Sequence, residues 1–448
     1  MTTIVQLLLV LGLMVLIHEF GHFVVAKLCG VRVEAFALGF GKRIVGFRRG
    51  ETEYQINILP LGGYVKMAGE IPGEAQTHDP GELNNHPRWQ RILIALAGPV
   101  ANFILAFTLM TGAYMLHNEV NEYISGPAVA DYISPNTPVA KTGIHSGDTI
   151  VHYDDIENPT WDDVLQHSGV KLNQTVPFSF IHNGVRTNTT FNIYSKETLE
   201  NFSPDSLGFV PKMQPTPVKV SALLAGSPAD RAGLRPDDEI ASIDGVAVHS
   251  VPALLAYLQD RKGAPSQLDV LRGSQHLAIH VTPSLSDADG TKAYRLGFQP
   301  VLPPVRVEQL PLGKALKASW VLNKKSSVLI KDVIKGMFEH HISVKSLSGP
   351  IGIGQVVHQA AQMPGWMPLI GTMAGISINL GILNLLPIPI LDGGMIFFLL
   401  IESLMRRDFP QTIKERVYQV AFVCLVLFFA FVIVNDITKL PFVAKLKS

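Results

Sequence analysis

His18, Glu19 and His22 are spaced as H-E-x-x-H in the run His18-Glu19-Phe20-Gly21-His22. On a helix, residues four apart share one face. Both imidazoles can then hold a single Zn²⁺, with Glu19 beside the water that such a metal activates. That is the chemistry of hydrolysis. Given 15 His in 448 residues, chance supplies the motif on the order of 0.02 times per chain. The motif closes an apolar run, Ile4 to Ile17. Ionisable residues inside a membrane-length segment are costly and mark function by default. The plainer alternative is a polar helix end beside lipid headgroups.

The composition says what must position these groups. The chain is 47% hydrophobic and only 17% charged, against a usual quarter charged. Its mean hydropathy is +0.25. This is the balance of an integral membrane protein with substantial polar parts. Net charge is zero, so no nucleic acid or other polyanionic partner is implied. Cys29 and Cys424 are the only cysteines, too few for a disulfide framework.

Four segments are near the ~20 residues that a bilayer requires. They run from about Ile4 to Leu28, Ile92 to Leu116, Met367 to Leu386 and Val417 to Val434. The N-terminus lacks the basic region and small-residue cleavage site of a signal peptide. Arg32, Lys42, Arg43, Arg48, Arg49, Lys66, Arg88 and Arg91 follow the first span, and Arg406, Arg407, Lys414 and Arg416 follow the third. Basic loops stay inside, so the N-terminus and the long middle region are expected outside. Lys439, Lys445 and Lys447 in the tail pull mildly against this, but four spans force the C-terminus outside too.

Between the first two spans, 39–70 reads as non-helical. Ile44 to Phe47, Tyr54 to Ile58 and Tyr64 to Met67 are expected as short strands, with turns at Arg49-Gly50 and Leu61-Gly62-Gly63. Such a sheet would cap the inner mouth of the metal site or offer an edge to an extended peptide.

The middle region repeats at an offset of about ninety residues. Pro138 to Ile150 matches Pro228 to Ile240, and Leu207-Gly208-Phe209 matches Leu296-Gly297-Phe298. The second copy reads S-P-A-x-x-A-G-L-x-x-x-D-x-I and resembles a bacterial PDZ domain, with the L-G-F element at the end of each unit as in a circularly permuted form. The first copy has Gly143-Ile144-His145 and no S-P-A, so the resemblance implies peptide binding more strongly for the second. Rigid spacers are the alternative. From 313 to 339, Leu316, Trp320, Val321, Leu329, Ile330, Val333, Ile334 and Met337 alternate with lysines. This pattern predicts one or two amphipathic helices, lying on the membrane or packed on the repeats.

A catalytic zinc takes three protein ligands and keeps one position open. Asp392, in Asn384-Leu385-Leu386-Pro387-Ile388-Pro389-Ile390-Leu391-Asp392-Gly393-Gly394, stands at the inner end of the third span, the same depth as the histidines. Two prolines in three residues break the helix there. Non-helical backbone is tolerated at such depth where protein or a water cavity covers it. Asp392 is therefore read as the third ligand, and a helix-terminal turn residue is the alternative.

H-E-F-G-H, N-x-x-P-x-P-x-x-D-G, Gly98-Pro99-x-x-Asn102 and the tandem repeats together resemble the site-2 protease family over essentially the whole chain. The resemblance implies a polytopic α-helical membrane protein of four transmembrane helices, with a small membrane-associated β-region and two extracytoplasmic PDZ domains. The expected limits are 1–116 for the first two helices with the β-region at 39–70, 120–211 and 215–303 for the PDZ domains, 310–345 for the amphipathic helices, and 350–448 for the last two spans. The implied activity is intramembrane zinc-dependent proteolysis, with His18, His22 and Asp392 as ligands and Glu19 as catalytic base. Asn384, Pro387 and Pro389 would belong to the substrate-holding segment. The implied substrates are single-span membrane proteins already trimmed by another protease, of the anti-sigma factor type, and remnant signal peptides. The implied setting is the bacterial inner membrane, with the PDZ domains on the periplasmic side.

Two other classes compete. A membrane-anchored peptide-binding scaffold leaves H-E-x-x-H without a purpose. A metal transporter predicts more carboxylates and histidines inside the spans and gives Glu19 no task.

Overall fold

The computed structural model describes residues 3–70, 79–120, 122–135, 137–171, 173–193, 207–286, 292–301, 306–339, 348–363 and 365–439. The expected limits at 303 and 345, and Lys445 and Lys447 of the tail, lie outside the described residues. The chain forms two compact units, one of Met1–Asn118, Gln309–Lys331 and Leu347–Ser448, the other of Glu119–Glu308 and Asp332–Ser346.

The first unit is a helical bundle carrying a β-hairpin. Helix α1 covers Thr3–Leu28 and α2 covers Arg88–Leu116. Further helices are α3 (Leu312–Phe338), α4 (Pro350–Gln362), α5 (Met367–Asn384), α6 (Asp392–Met405) and α7 (Gln411–Lys439). Among the described residues four helices are long and apolar enough to cross a membrane: Val5–Leu28, Arg88–Leu116, Met367–Asn384 and Thr412–Thr438. Many of their large apolar side chains face outward, among them Leu9, Ile104, Leu383 and Leu427. In water such exposure would be unfavourable; in lipid it is the required surface.

Two expectations need correction here. The third span ends at Asn384 rather than Leu386, and the connection that follows is not simply a basic loop but contains α6. At 14 residues, α6 is too short to span, so hydropathy merges it with its surroundings. Helix α4 was also not anticipated. Its N-terminal amides at Gly349, Ile351 and Gly352 bond the Asp436 carboxylate of α7 at 3.0 to 3.1 Å. An acidic group at a helix N-terminus meets its orphan donors and the positive end of its dipole. Buried Glu402 of α6 joins α7 likewise, through Lys414 Nζ at 2.6 Å.

The β-region is also different from the expected three short strands. It consists of two long strands, β1 (Val33–Arg49) and β2 (Thr52–Met67), paired antiparallel. Ala35 to Leu38 register with both Gly63 to Lys66 and Glu53 to Ile56, so the ribbon folds over on itself. The turn expected at Leu61-Gly62-Gly63 lies inside β2 instead, and Gly39, Gly41 and Gly62 hold φ of 88°, 88° and 103°, which only glycine adopts without strain. Val33, Val65 and Met67 of this sheet pack with Ala26 of α1 and Ile94 of α2, anchoring the hairpin beside the helix that carries His18 and His22.

In the second unit two copies of one arrangement follow each other. The first copy orders its sheet 156–157, 149–153, 175–182, 185–192, with helix Trp161–Val170. The second orders 275–281, 266–272, 239–243, 218–223, 298–300, with 246–247 beside 239–243 and helix Val251–Asp260. In the first copy, Ala130–Ile133 pairs with Phe209–Pro211 as Val218–Leu223 pairs with Phe298–Pro300 in the second. The copies have separate cores, around Trp161, Phe178 and Phe209 in one and Ile240, Leu254 and Val270 in the other. They touch through buried Asp131, which accepts from His249 N, His249 Nδ1 and Ser250 Oγ at 3.0, 2.8 and 3.0 Å.

Candidate active site

The sequence Thr3–Leu28 is helical because it offers continuous apolar side chains with no proline. Its 3.6-residue repeat brings His18 and His22 onto one face. Both are buried, at 5% and 7% exposure, and their Nε2 atoms stand 3.2 Å apart. Asp392 opens α6 and approaches both rings: Oδ2 lies 3.1 Å from His18 Nε2 and Oδ1 lies 3.4 Å from His22 Nε2.

Glycines permit this convergence. A Cβ on Gly98 of α2 would run into His22 Nε2 and would stand 2.8 Å from His18 Cε1, so α2 forms the back wall of the cluster. Gly21 sits against the backbone of Ala97, and added bulk there would push α1 from α2. Gly393 and Gly394 lie against the carbonyls of Leu385, Leu386 and Ile388. Any side chain at either would lift α6 off the 385–391 bend and carry Asp392 away.

The surrounding groups orient the imidazoles. His22 Nδ1 donates to the Ile94 carbonyl at 2.7 Å, which leaves the Nε2 lone pair facing His18 and Asp392. Asn102 of α2 is fully buried and its amide nitrogen lies 3.0 Å from His18 Nδ1. Its Oδ1 has no partner; a half-turn of the amide would let that oxygen accept a proton from Nδ1 and free the His18 Nε2 lone pair as well. Asp392 Oδ2 is buried and unpaired in spite of its closeness to His18.

One nitrogen or oxygen from each of the three side chains thus lies within 4.8 Å of the others. Two imidazoles and a carboxylate are a zinc donor set with one position open, and the orphaned oxygens show that a cation fits here. Glu19 lies next in sequence to His18 and against the hairpin. A Cβ on Gly63 would stand 3.4 Å from Glu19 Cγ, and the carboxylate takes a backbone hydrogen bond from Val65.

Asn384 is the last residue of α5, and its Nδ2 stands 3.2 Å from His18 Nε2. Pro387 and Pro389 lie in the break between α5 and α6. Pro389 lines a cavity of about 440 Å³ that also reaches Asp392, Glu70, Arg91 and Glu402. Met67 N donates to the Glu70 carboxylate at 3.1 Å. This polar recess gives water a way toward the carboxylate. Among the described residues Pro387 makes no hydrogen bond or ion pair with the cluster. Sequence reasoning gave no role to Asn102, the Ile94 carbonyl or Val65. Only Asn102 had a signal, a polar side chain inside an apolar span.

Two imidazoles and a carboxylate, with a glutamate beside them, in a bundle with helices of membrane length are the combination expected of a membrane metallopeptidase. The model of peptidase family M50 matches residues 6–428, and the chain belongs to that family; it is a zinc metalloprotease. Curated relatives agree along the whole length. The regulator of sigma-E protease RseP of Salmonella typhimurium is 32% identical over 454 residues, covering 97% of this chain and 98% of the relative. The Escherichia coli protein of the same name is 31% identical over 451 residues, covering 96% and 97%. A Vibrio cholerae relative named as a zinc metalloprotease is 31% identical over 470 residues, covering 97% and 98%. Among solved structures, the PDZ domain of an SdrC-like protein from Listeria monocytogenes covers 20% of this chain and 93% of its own, at 22% identity and a TM-score of 0.18, too low to carry an argument.

Proposed function

We propose that the chain cleaves the transmembrane segments of single-span membrane proteins already trimmed by another protease, with His18, His22 and Asp392 as zinc ligands and Glu19 as the catalytic base. The observation that carries this reading is the meeting of the three donor atoms beside the broken backbone of 385–391. Zinc bound there supplies Lewis-acid polarisation of the scissile carbonyl. Glu19 accepts the proton of the attacking water on its carboxylate and returns it to the leaving amine. Asn384, Pro387 and Pro389 form the substrate-holding segment. A transmembrane helix hides its carbonyls in hydrogen bonds and must be unwound locally, and each freed backbone group needs a partner in an apolar setting. The Asn384 amide offers both donor and acceptor.

We assign the two repeats as PDZ domains on the periplasmic side of the bacterial inner membrane, in line with the basic loops that follow the first and third spans. The relatives named regulator of sigma-E protease support an anti-sigma factor as one substrate; remnant signal peptides are a further class to test. The second repeat is the better peptide binder. It carries a groove of about 700 Å³ between helix Val251–Asp260 and the Leu296-Gly297-Phe298 element. Deletion of residues 123–300 with a short linker should admit untrimmed substrate; unchanged selectivity would refute a filtering role.

The test of the catalytic assignment is Glu19→Gln in the full chain. Zinc content should stay at wild type while cleavage of a single-span reporter falls by ~10²-fold or more, as loss of a general base requires. Retained cleavage would overturn the role of Glu19. A peptide-binding scaffold would be unaffected by the substitution.

A further inference from the structure

The two repeats differ at one point where they should most resemble each other. In the second, buried Asp238 is clamped by Arg272, whose Nε and Nη2 donate to its two oxygens at 2.8 Å each. The amide of Arg235 donates to the same carboxylate at 2.8 Å. In the first repeat the aspartate remains, as Asp148, 5% exposed. The amide bond remains too, from His145 N at 2.8 Å. Both arginines, however, are replaced by histidines: His145 stands where Arg235 does, and His182 ends strand 175–182 as Arg272 ends strand 266–272.

The replacement changes what the position can do. A guanidinium has five donors and no lone pair to lend, whereas a neutral imidazole is a metal ligand. His182 Nδ1 lies 2.7 Å from Asp148 Oδ1. The His145 ring stands over that of His182 with centroids 4.7 Å apart, although no hydrogen bond holds it there. Among the described residues its nitrogens have no hydrogen-bond partner, and it is exposed. One donor atom from each of His145, Asp148 and His182 lies within 4.8 Å of the others. Around a tetrahedral zinc, ligand atoms are roughly 3.3 Å apart, so small rotations about the side-chain bonds close the set. The remaining His182 nitrogen, Nε2, is 3.0 Å from Asn183 Nδ2, a contact that steadies the ring.

We propose that His145, Asp148 and His182 form a second, surface metal site for a divalent transition-metal ion such as Zn²⁺, separate from the catalytic cluster. The ion enters between His182 Nδ1 and Asp148 Oδ1 and displaces the proton they share to solvent. His145 completes three ligands, and water fills the open position. The ion takes over the task of Arg272 in the other repeat, tying the 175–192 hairpin to the loop ahead of strand 149–153. The other exposed group of this kind, Asp154, Asp155 and His167, is less suited, since Asp154 already holds Lys171 Nζ at 3.0 Å.

The test is zinc binding by the full-length protein in detergent, measured by equilibrium dialysis at micromolar free Zn²⁺. Wild type is compared with His145→Ala and with the double variant His145→Arg, His182→Arg. The double variant restores the arginine pairing of the second repeat and so keeps the fold. It should bind one zinc fewer per chain than wild type. His145→Ala, which removes an exposed ring that bonds nothing, should weaken the same event by at least ~10-fold. Because the difference between variants is read, the catalytic zinc does not enter. Equal zinc uptake by all three proteins would overturn the proposal.

Discussion

Gly98 of α2 lies so close to His22 of α1 that a methyl group on it would collide with the His22 Nε2. The absence of a side chain on one helix thus makes room for the histidine pair on another. Gly98→Ala is expected to turn both imidazoles out of line and to lower zinc content and cleavage together. Gly112→Ala, further along the same helix with nothing within 4 Å, is the control and should change neither. Full zinc occupancy in Gly98→Ala would mean that α2 yields by simple displacement.

Asp392 reaches the histidines from the first turn of α6. Asp392→Ala should lower zinc occupancy, because two imidazoles alone leave the ion short of protein ligands. Treatment of the wild-type chain with a strong chelator should abolish cleavage, and added zinc should restore it. If Asp392→Ala retains zinc at the wild-type level, the third ligand lies elsewhere.

Much of this site was legible in the sequence because its parts are local. His18, Glu19 and His22 sit within one helical turn, and Asp392 follows a proline-broken span end at matching depth. The four apolar runs needed only length and composition. What escaped was set by contacts distant in sequence. Nothing local reveals that Gly62 lies within one long strand rather than in a turn between two. Gly393 and Gly394 look like a helix break and in fact let α6 start against the Leu385 carbonyl. Asn102 could be noticed as polar in a span, but its partner, His18 Nδ1, is 84 residues away.

The Arg272 to Asp238 clamp makes the second repeat sensitive to acid. Burial works to raise the Asp238 carboxyl, but the Arg272 guanidinium and the Arg235 amide outweigh it and hold the group below the usual carboxylate range. A carboxylate with a depressed folded pKa contributes stability above its unfolded value of ~3.9, and that contribution is lost as pH falls through the folded value. Limited proteolysis of the full chain should therefore begin to cut within 218–281 only on acidification below the usual carboxylate range. Arg272→Met leaves Asp238 buried and unclamped, so the same cuts should appear at neutral pH and change less with acid. An identical pH profile in wild type and variant would show that the pair does not stabilise this repeat.

Asn384 ends α5 with its amide nitrogen 3.2 Å from His18 Nε2, and beyond it Pro387 and Pro389 prevent any regular helix. The residue therefore stands at the border between ordered helix and the bend, within reach of a peptide bond presented to the metal cluster. If its amide pairs with substrate backbone released by unwinding, Asn384→Ala should slow cleavage most where most backbone must be freed. The measurement is four initial rates: wild type and Asn384→Ala, each with a stable transmembrane substrate and with one weakened by Gly or Pro near the cut. Glycine in a helix interior costs about 1 kcal/mol relative to alanine and proline about 3, so the weakened substrate arrives partly unwound. The fold-loss caused by Asn384→Ala should shrink on it, while zinc content stays at wild type. A fall in zinc would instead mark Asn384 as a positioning residue for His18. Equal losses on both substrates, with zinc unchanged, would show that Asn384 does not handle the unwound chain.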